Sequence, residues 1–146
     1  MLRRRALARV ETDSLQLHRL IATLLRPRTN LDAPTGATVA LQLVHATVPP
    51  EAHEPAAWPV WRQLLPHVLA VTDDAHPRTS DELDQVAWLL DRAGVYLDRR
   101  GETRPALPLA TRAHQLYRTR LGDDHHHTLN SATRLATRLA ELGKPE

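Results

Sequence analysis

The densest group of chemically active side chains is the run Asp123-Asp124-His125-His126-His127, in which every residue carries a metal-ligating atom. Neighbours in sequence do not easily converge on one ion, because a tetrahedral site takes its ligands from separated positions. We therefore expect no specific metal site and no cofactor here. Instead, Asp124 is predicted to cap a helix and His125 to pack beside it.

Residues suited to catalysis are present but are not arranged for it. Ser14, Ser80 and Ser131 lie in turn or helix-start contexts, with no paired base and no Gly-x-Ser-x-Gly turn. No two carboxylates are placed to face each other across a cleft. The chain contains no cysteine, which removes thiol nucleophiles, thiolate zinc sites and disulfides. The sequence predicts that the protein is not an enzyme.

Composition favours a helical fold. The chain has 146 residues, only 3% of them aromatic and none of them phenylalanine, so its core must be built from Leu, Ala and Val. The formal net charge is only +2, so composition gives little reason to expect a nucleic-acid partner. The basic start is not followed by an apolar run long enough for a signal peptide or a membrane span. We therefore expect a cytoplasmic protein with no membrane partner. Nearly every basic residue is arginine, which is a sign of a GC-rich coding sequence, so we also expect a bacterial source.

Two domains are predicted, over residues 1–30 and 37–146. In the first, alternation of apolar residues around Glu11-Thr12-Asp13-Ser14 predicts a β-hairpin, and a helix over 18–26 follows it. In the second, helical spacing predicts helices over 37–47, 57–71 and 81–99, then a return helix ending at Leu121 and a last helix after His125. Pro66 is expected to kink or break the second of these helices, and Ser80 to cap the third.

Residues 81–143 read as one helical hairpin followed by the first helix of a second copy. Five small or aliphatic positions recur about 42 residues further on. They are Leu90, Ala93, Gly94, Leu97 and Gly101, matched by Ala132, Leu135, Ala136, Leu139 and Gly143. A mid-helix glycine costs about 1 kcal/mol relative to alanine, so Gly94 is expected to face a helix that approaches too closely to admit a side chain. Gly101 is expected to reverse the chain.

The hairpin resembles a tetratricopeptide repeat. Gly94, Ala106 and Ala113 are spaced as its small-residue signature, and Leu121-Gly122-Asp123-Asp124-His125 is similar to the inter-repeat segment of the kinesin light chain type. The resemblance covers residues 81–143 and implies an all-α solenoid of stacked antiparallel helical hairpins. This chain departs from that type at His126, where proline is usual, and its groove positions 92 and 134 carry arginine instead of asparagine.

The earlier part resembles the junction between a winged-helix-like module and the repeats of bacterial STAND-type regulators. The similar stretches are Leu15-Gln16-Leu17-His18-Arg19-Leu20-Ile21 and residues 58–67. This resemblance implies a winged-helix remnant at the start and repeats that sense a ligand or partner. NTPase activity is not implied, because the chain lacks a Gly-x-x-x-x-Gly-Lys phosphate loop.

In such a solenoid the inner helix of each hairpin lines a concave groove that binds a protein or peptide. The groove residues implied by the resemblance are Trp88, Asp91, Arg92, Val95, Arg99, Asn130, Thr133, Arg134 and Thr137. Arginine suits bidentate contacts, so an acidic partner is expected to pair with Arg92 and Arg134. Replacing both with alanine is expected to abolish partner binding at unchanged thermal stability. The alternative is that these arginines only solvate a helix surface.

Two further expectations concern other surfaces. Arg3, Arg4, Arg5 and Arg9 are placed to lie along phosphates, so DNA binding by a winged-helix segment is the alternative function, although no complete recognition helix precedes them. The last repeat shows only its first helix, which would leave Leu135 and Leu139 open. Self-association or docking of a further segment is expected there.

Overall fold

The computed structural model describes residues 8–11, 14–17, 36–74 and 77–143. The chain divides into two compact units, Met1–Val39 and Ala40–Glu146. In the first unit, strand β1 (Ala8–Glu11) pairs antiparallel with strand β2 (Ser14–Leu17). The helix predicted over 18–26 lies outside the described residues, and the winged-helix interpretation stays a prediction.

The remaining described elements are helical. They are α1 (Gly36–Thr47), a 3-10 turn (Pro55–Ala57), α2 (Trp58–Val71), α3 (Ser80–Arg99), α4 (Thr103–Leu121) and α5 (His126–Leu142). Helix α2 packs on α3, α3 packs along α4, and α4 packs on α5. The helices predicted for this region are therefore confirmed. None of the described helices is both long enough and apolar enough to cross a lipid bilayer.

The core of the second unit consists of leucine, alanine and valine, with a few aromatic side chains. Trp61 is fully buried and stacks on Tyr96, with ring centroids 5.8 Å apart. The indole Nε1 of Trp61 donates a hydrogen bond to the carbonyl oxygen of Pro49 at 3.1 Å. One side chain of α2 therefore contacts α3 and also holds the loop that follows α1.

Two helix starts differ from the sequence prediction by one residue. Helix α3 is capped by Thr79 instead of Ser80, since Thr79 Oγ1 accepts from the Glu82 amide at 3.3 Å. Glu82 Oε2 in turn accepts from the Thr79 amide at 2.7 Å, which completes a capping box that Ser80 could not form with Glu82. Helix α5 is capped by His125 instead of Asp124, because His125 Nδ1 accepts from the His127 amide at 3.2 Å.

Two expectations concerned changes of chain direction, one at Pro66 and one at Gly101. Helix α2 runs without interruption through Pro66, so it is not broken near Arg62–Leu65, and the other expectation, a kink there, stays a prediction. The reversal at Gly101 is confirmed. Gly101 adopts a φ of 80°, and the Glu102 amide donates to the Leu97 carbonyl at 2.9 Å in the bonding pattern of a Schellman turn.

Gly94 of α3 is buried, as are Ala106 and Ala113 of α4. The site of Gly94 nevertheless has more space than expected. A Cβ placed on Gly94 would lie 3.6 Å from Arg138 Nη2 and 3.7 Å from the Ala106 carbonyl oxygen. Both are ordinary van der Waals distances. The expectation that α4 comes too close to admit any side chain is therefore wrong for a methyl group, and Gly94 instead leaves room beside the Arg138 guanidinium.

Replacing Gly94 with alanine is expected to raise the free energy of unfolding by up to about 1 kcal/mol, because alanine has the better helix propensity and its methyl group fits. Urea denaturation followed by circular dichroism would measure the change. Gly94→Leu is the control, since its branches would meet Arg138 and the α4 backbone, and it should lower stability. A loss of stability in the alanine variant would contradict the geometry described here.

Candidate functional site

A cleft with a volume of about 450 Å³ lies between α3 and α5. Its lining residues on these two helices are Arg92, Val95, Asp98, Arg99, Arg134, Thr137, Arg138 and Glu141, and His53 joins them from the loop after α1. The cleft contains five of the nine predicted groove residues: Arg92, Val95, Arg99, Arg134 and Thr137. The structure therefore brings together side chains from two helices that occupy equivalent places in the repeat.

Asp91 lies beneath these arginines and is almost fully buried, with 4% of its surface exposed. Its Oδ2 accepts from Arg92 Nη2 at 2.7 Å and from Arg134 Nη1 at 2.6 Å. Asp91 therefore links α3 to α5 through an ion pair and is not an open groove position. Replacing both arginines would leave a buried carboxylate without a partner, so we now expect that double variant to lose stability.

Arg138 also links the two helices. Only 2% of its surface is exposed, and its Nε lies 3.4 Å from Asp98 Oδ2. Arg138 is not among the predicted groove residues, although its place in the repeat gives a signal. Position 138 matches position 96, where Tyr96 is buried, and Arg138 is buried at the same place in the repeat.

The cleft has an excess of positive charge. Four guanidinium groups line it, against the carboxylates of Asp98 and Glu141 and the carboxylate of Asp91 beneath them. Arg99 is exposed and makes no ion pair within the part of the chain that the structure describes. Arg92 Nε and Arg138 Nε are buried without a hydrogen-bond partner among those same residues. Those two buried atoms are closed to a ligand, but the exposed guanidinium of Arg99 and the net positive charge of the cleft favour an anionic ligand over a neutral one.

The other predicted groove residues do not line the cleft. Trp88 is half-buried, and its ring packs edge-on against His45 with centroids 4.9 Å apart. Asn130 and Thr133 are exposed on α5 outside the cleft. The cleft therefore includes only part of the predicted groove set, and most of its charged side chains are arginines.

The rings of the histidine run lie close together and are tilted against one another by 30 to 39°. The His126 and His127 centroids are 4.0 Å apart, and His127 stacks on Tyr117 of α4 at 5.3 Å. Burial, together with the neighbouring His126 and His125, lowers the pKa of His127. Within the described ranges, no three His, Asp or Glu side chains converge in a way that could hold a metal ion.

The depressed pKa of His127 predicts acid sensitivity at the start of α5. Because the pKa of folded His127 is depressed, the unfolded chain binds the proton first as the pH falls through about 6.5, and stability present above that pH is lost below it. The thermal midpoint should therefore fall between pH 7 and pH 5, and His127→Gln should reduce that fall. An equally steep fall in the variant would exclude His127 as a source.

Ser131 has an imidazole partner that the sequence did not reveal. Its Oγ lies 2.9 Å from His114 Nδ1 and 2.8 Å from the Thr128 carbonyl oxygen. A hydroxyl has one proton, and the carbonyl can only accept it, so His114 Nδ1 is the donor in this pair. Ser131 is also buried. This pair therefore joins α4 to α5 and lacks the base that would activate a nucleophile.

Comparisons with protein-family profiles, with curated proteins and with solved structures found no match to this chain. The assignment to the tetratricopeptide class therefore stays a prediction, as does the alternative of DNA binding. Of the arginines on which that alternative depends, Arg3, Arg4 and Arg5 lie outside the described residues and Arg9 lies on β1.

Proposed function

We propose that this chain is a protein–protein interaction module of tetratricopeptide type, and that its α3–α5 cleft binds an acidic segment of a partner protein. The observation that carries this proposal is the convergence of Arg92, Arg99 and Arg134 on one cleft from two helices. Arginines that served only to keep a helix surface solvated would not need to converge on one cleft.

The arginines differ in what they can offer a partner. Arg92 and Arg134 already share Asp91, so an incoming carboxylate must compete with an internal one. Arg99 has no such competitor among the described residues and remains exposed. We expect a partner carboxylate to be held first by Arg99, with the more exposed of the paired arginines, Arg134, as its second contact.

The proposal gives the chain a binding role without catalysis. An acidic segment lying along the cleft would pass between Val95 and Thr137, which flank the charged positions on the two helices. We place the module in the cytoplasm of a bacterium, as part of a signalling or regulatory protein. The cysteine-free, arginine-rich sequence and its resemblance to STAND-type regulators support that placement.

The test is a fluorescence-polarisation titration with a labelled pool of extended peptides in which glutamate alternates with varied residues. A second pool with glutamine in place of glutamate reports binding that does not need charge. The wild-type chain should bind the glutamate pool more tightly, and Arg99→Gln should weaken that binding by roughly tenfold, the loss expected for one charge-assisted contact.

Arg104→Gln is the matched control, because Arg104 is an exposed arginine outside the cleft. It should bind the glutamate pool as the wild type does. Equal affinity for both pools, or equal losses in the two variants, would overturn the proposal, because the cleft would then contribute nothing specific.

A further inference from the structure

Helix α5 carries an open apolar stripe on a face separate from the cleft. The stripe consists of Leu129, Ala132, Ala136 and Leu139, whose spacing of three, four and three residues places them on one side of the helix. Leu129 and Leu139 are each 53% exposed. Apolar side chains of that size in a continuous row usually mark a contact surface.

The internal repeat shows what this face does elsewhere in the molecule. Ala87, Leu90, Gly94 and Leu97 hold the matching positions of α3, and all four are buried. Helix α3 packs most extensively on α4, and the site of Gly94 lies against the α4 backbone at Ala106 and Ala110. A different face of α5 is buried in the same way as its counterpart on α3. On α5 the buried residues are Thr128, Ser131 and Arg138, and the matching buried residues of α3 are Val86, Leu89 and Tyr96. The open stripe of α5 therefore corresponds to the face of α3 that packs against the antiparallel helix α4.

Two properties of the stripe indicate which helix packs against it. Its order, leucine, alanine, alanine, leucine, reads the same in both chain directions. An antiparallel second copy would therefore set Leu129 against Leu139 and Ala132 against Ala136, and would satisfy both copies at once. The exposed residues beside the stripe, Asn130, Thr133 and Ala140, carry no charge, and Arg134 lies in the cleft on the other side of α5, so this contact would remove few charges from water.

We propose that two copies of this chain associate through α5, packed antiparallel about a two-fold axis. The alanines let the two helix backbones approach closely, and the leucines close the contact at either end. One helix pair buries less than the roughly 1,200 Å² of a standard stable interface, so we expect a weak dimer with a dissociation constant on the order of 10 to 100 μM. This inference does not depend on the proposed cleft.

Sedimentation equilibrium across that concentration range tests the proposal. The wild-type mass should rise from 16.4 kDa toward twice that value, whereas Leu139→Glu should stay at 16.4 kDa. Leu69→Glu is the control, because Leu69 is a similarly exposed leucine on α2, away from the stripe, and it should associate as the wild type does. Circular dichroism would verify that each variant is folded.

Orientation can be tested separately because the chain has no cysteine of its own. An equal mixture of Ala132→Cys and Ala136→Cys chains, treated with a short thiol cross-linker, should join unlike chains faster than like chains if the helices are antiparallel. A strict monomer, association that survives Leu139→Glu, or faster joining of like chains would overturn the proposal. Tight binding of a peptide copying α4 to a monomeric chain would also overturn it, because a different occupant would then cover the stripe.

Discussion

Replacing Asp91 with alanine is expected to lower the free energy of unfolding by roughly 3 kcal/mol, the usual cost of removing one partner from a buried ion pair. The variant leaves Arg92 and Arg134 beside each other without the carboxylate that both now contact at 2.6 to 2.7 Å. It also removes an ion pair that joins α3 to α5. Urea denaturation followed by circular dichroism would measure the loss.

Asp84→Ala is the matched control for this prediction. Asp84 also pairs with an arginine on another helix, since its carboxylate accepts two bonds from Arg120 at 3.0 and 3.2 Å. Its side chain is 46% exposed, however, so its loss should cost less than about 1 kcal/mol. Similar losses in the two variants would show that burial of Asp91 is not what makes its ion pair important.

The same variant connects stability to the proposed function. If Asp91 competes with a partner's carboxylate for Arg92 and Arg134, the folded fraction of Asp91→Ala should bind the glutamate peptide pool more tightly than the wild type. Asp91→Asn offers a version closer in shape should the alanine variant fail to fold. Weaker peptide binding by folded protein would argue that Asp91 organises the cleft and does not compete in it.

Replacing Trp61 with alanine is expected to cost about 3 to 5 kcal/mol, the range found when a fully buried aromatic side chain is removed. The variant removes the stacking on Tyr96 and the hydrogen bond to the Pro49 carbonyl, and it opens a cavity between α2 and α3. Differential scanning calorimetry should show a strongly lowered midpoint or no cooperative transition.

Trp58→Ala is the control that shows whether the stability loss is specific to Trp61 or follows from removing any tryptophan of α2. Trp58 lies one turn earlier on α2, but it is only partly buried and its Nε1 has no hydrogen-bond partner among the described residues. Its removal should cost clearly less than removal of Trp61. Equal costs would mean that packing around the two rings does not differ as the structure indicates.

Much of the helical architecture follows from local sequence patterns. The spacing of apolar residues in α3, the glycine at position 101 and the 42-residue recurrence each depend on residues close in sequence or on a simple period. Helix existence is therefore predictable here without knowing which surfaces meet. The cleft arginines were predictable for a related reason, because a repeat places equivalent positions on equivalent faces.

The sequence by itself determined the helices, their reversal at Gly101 and the small residues at the α3–α4 contact. Only the tertiary structure decided that Asp91 is paired with two arginines, that Arg138 lies beside Gly94, and that His125 caps α5. The physical reason is the distance along the chain over which each effect acts. Periodicity and turn geometry act between near neighbours, whereas burial and ion pairing depend on which side chains meet when helices pack, and a sequence pattern does not contain those distances.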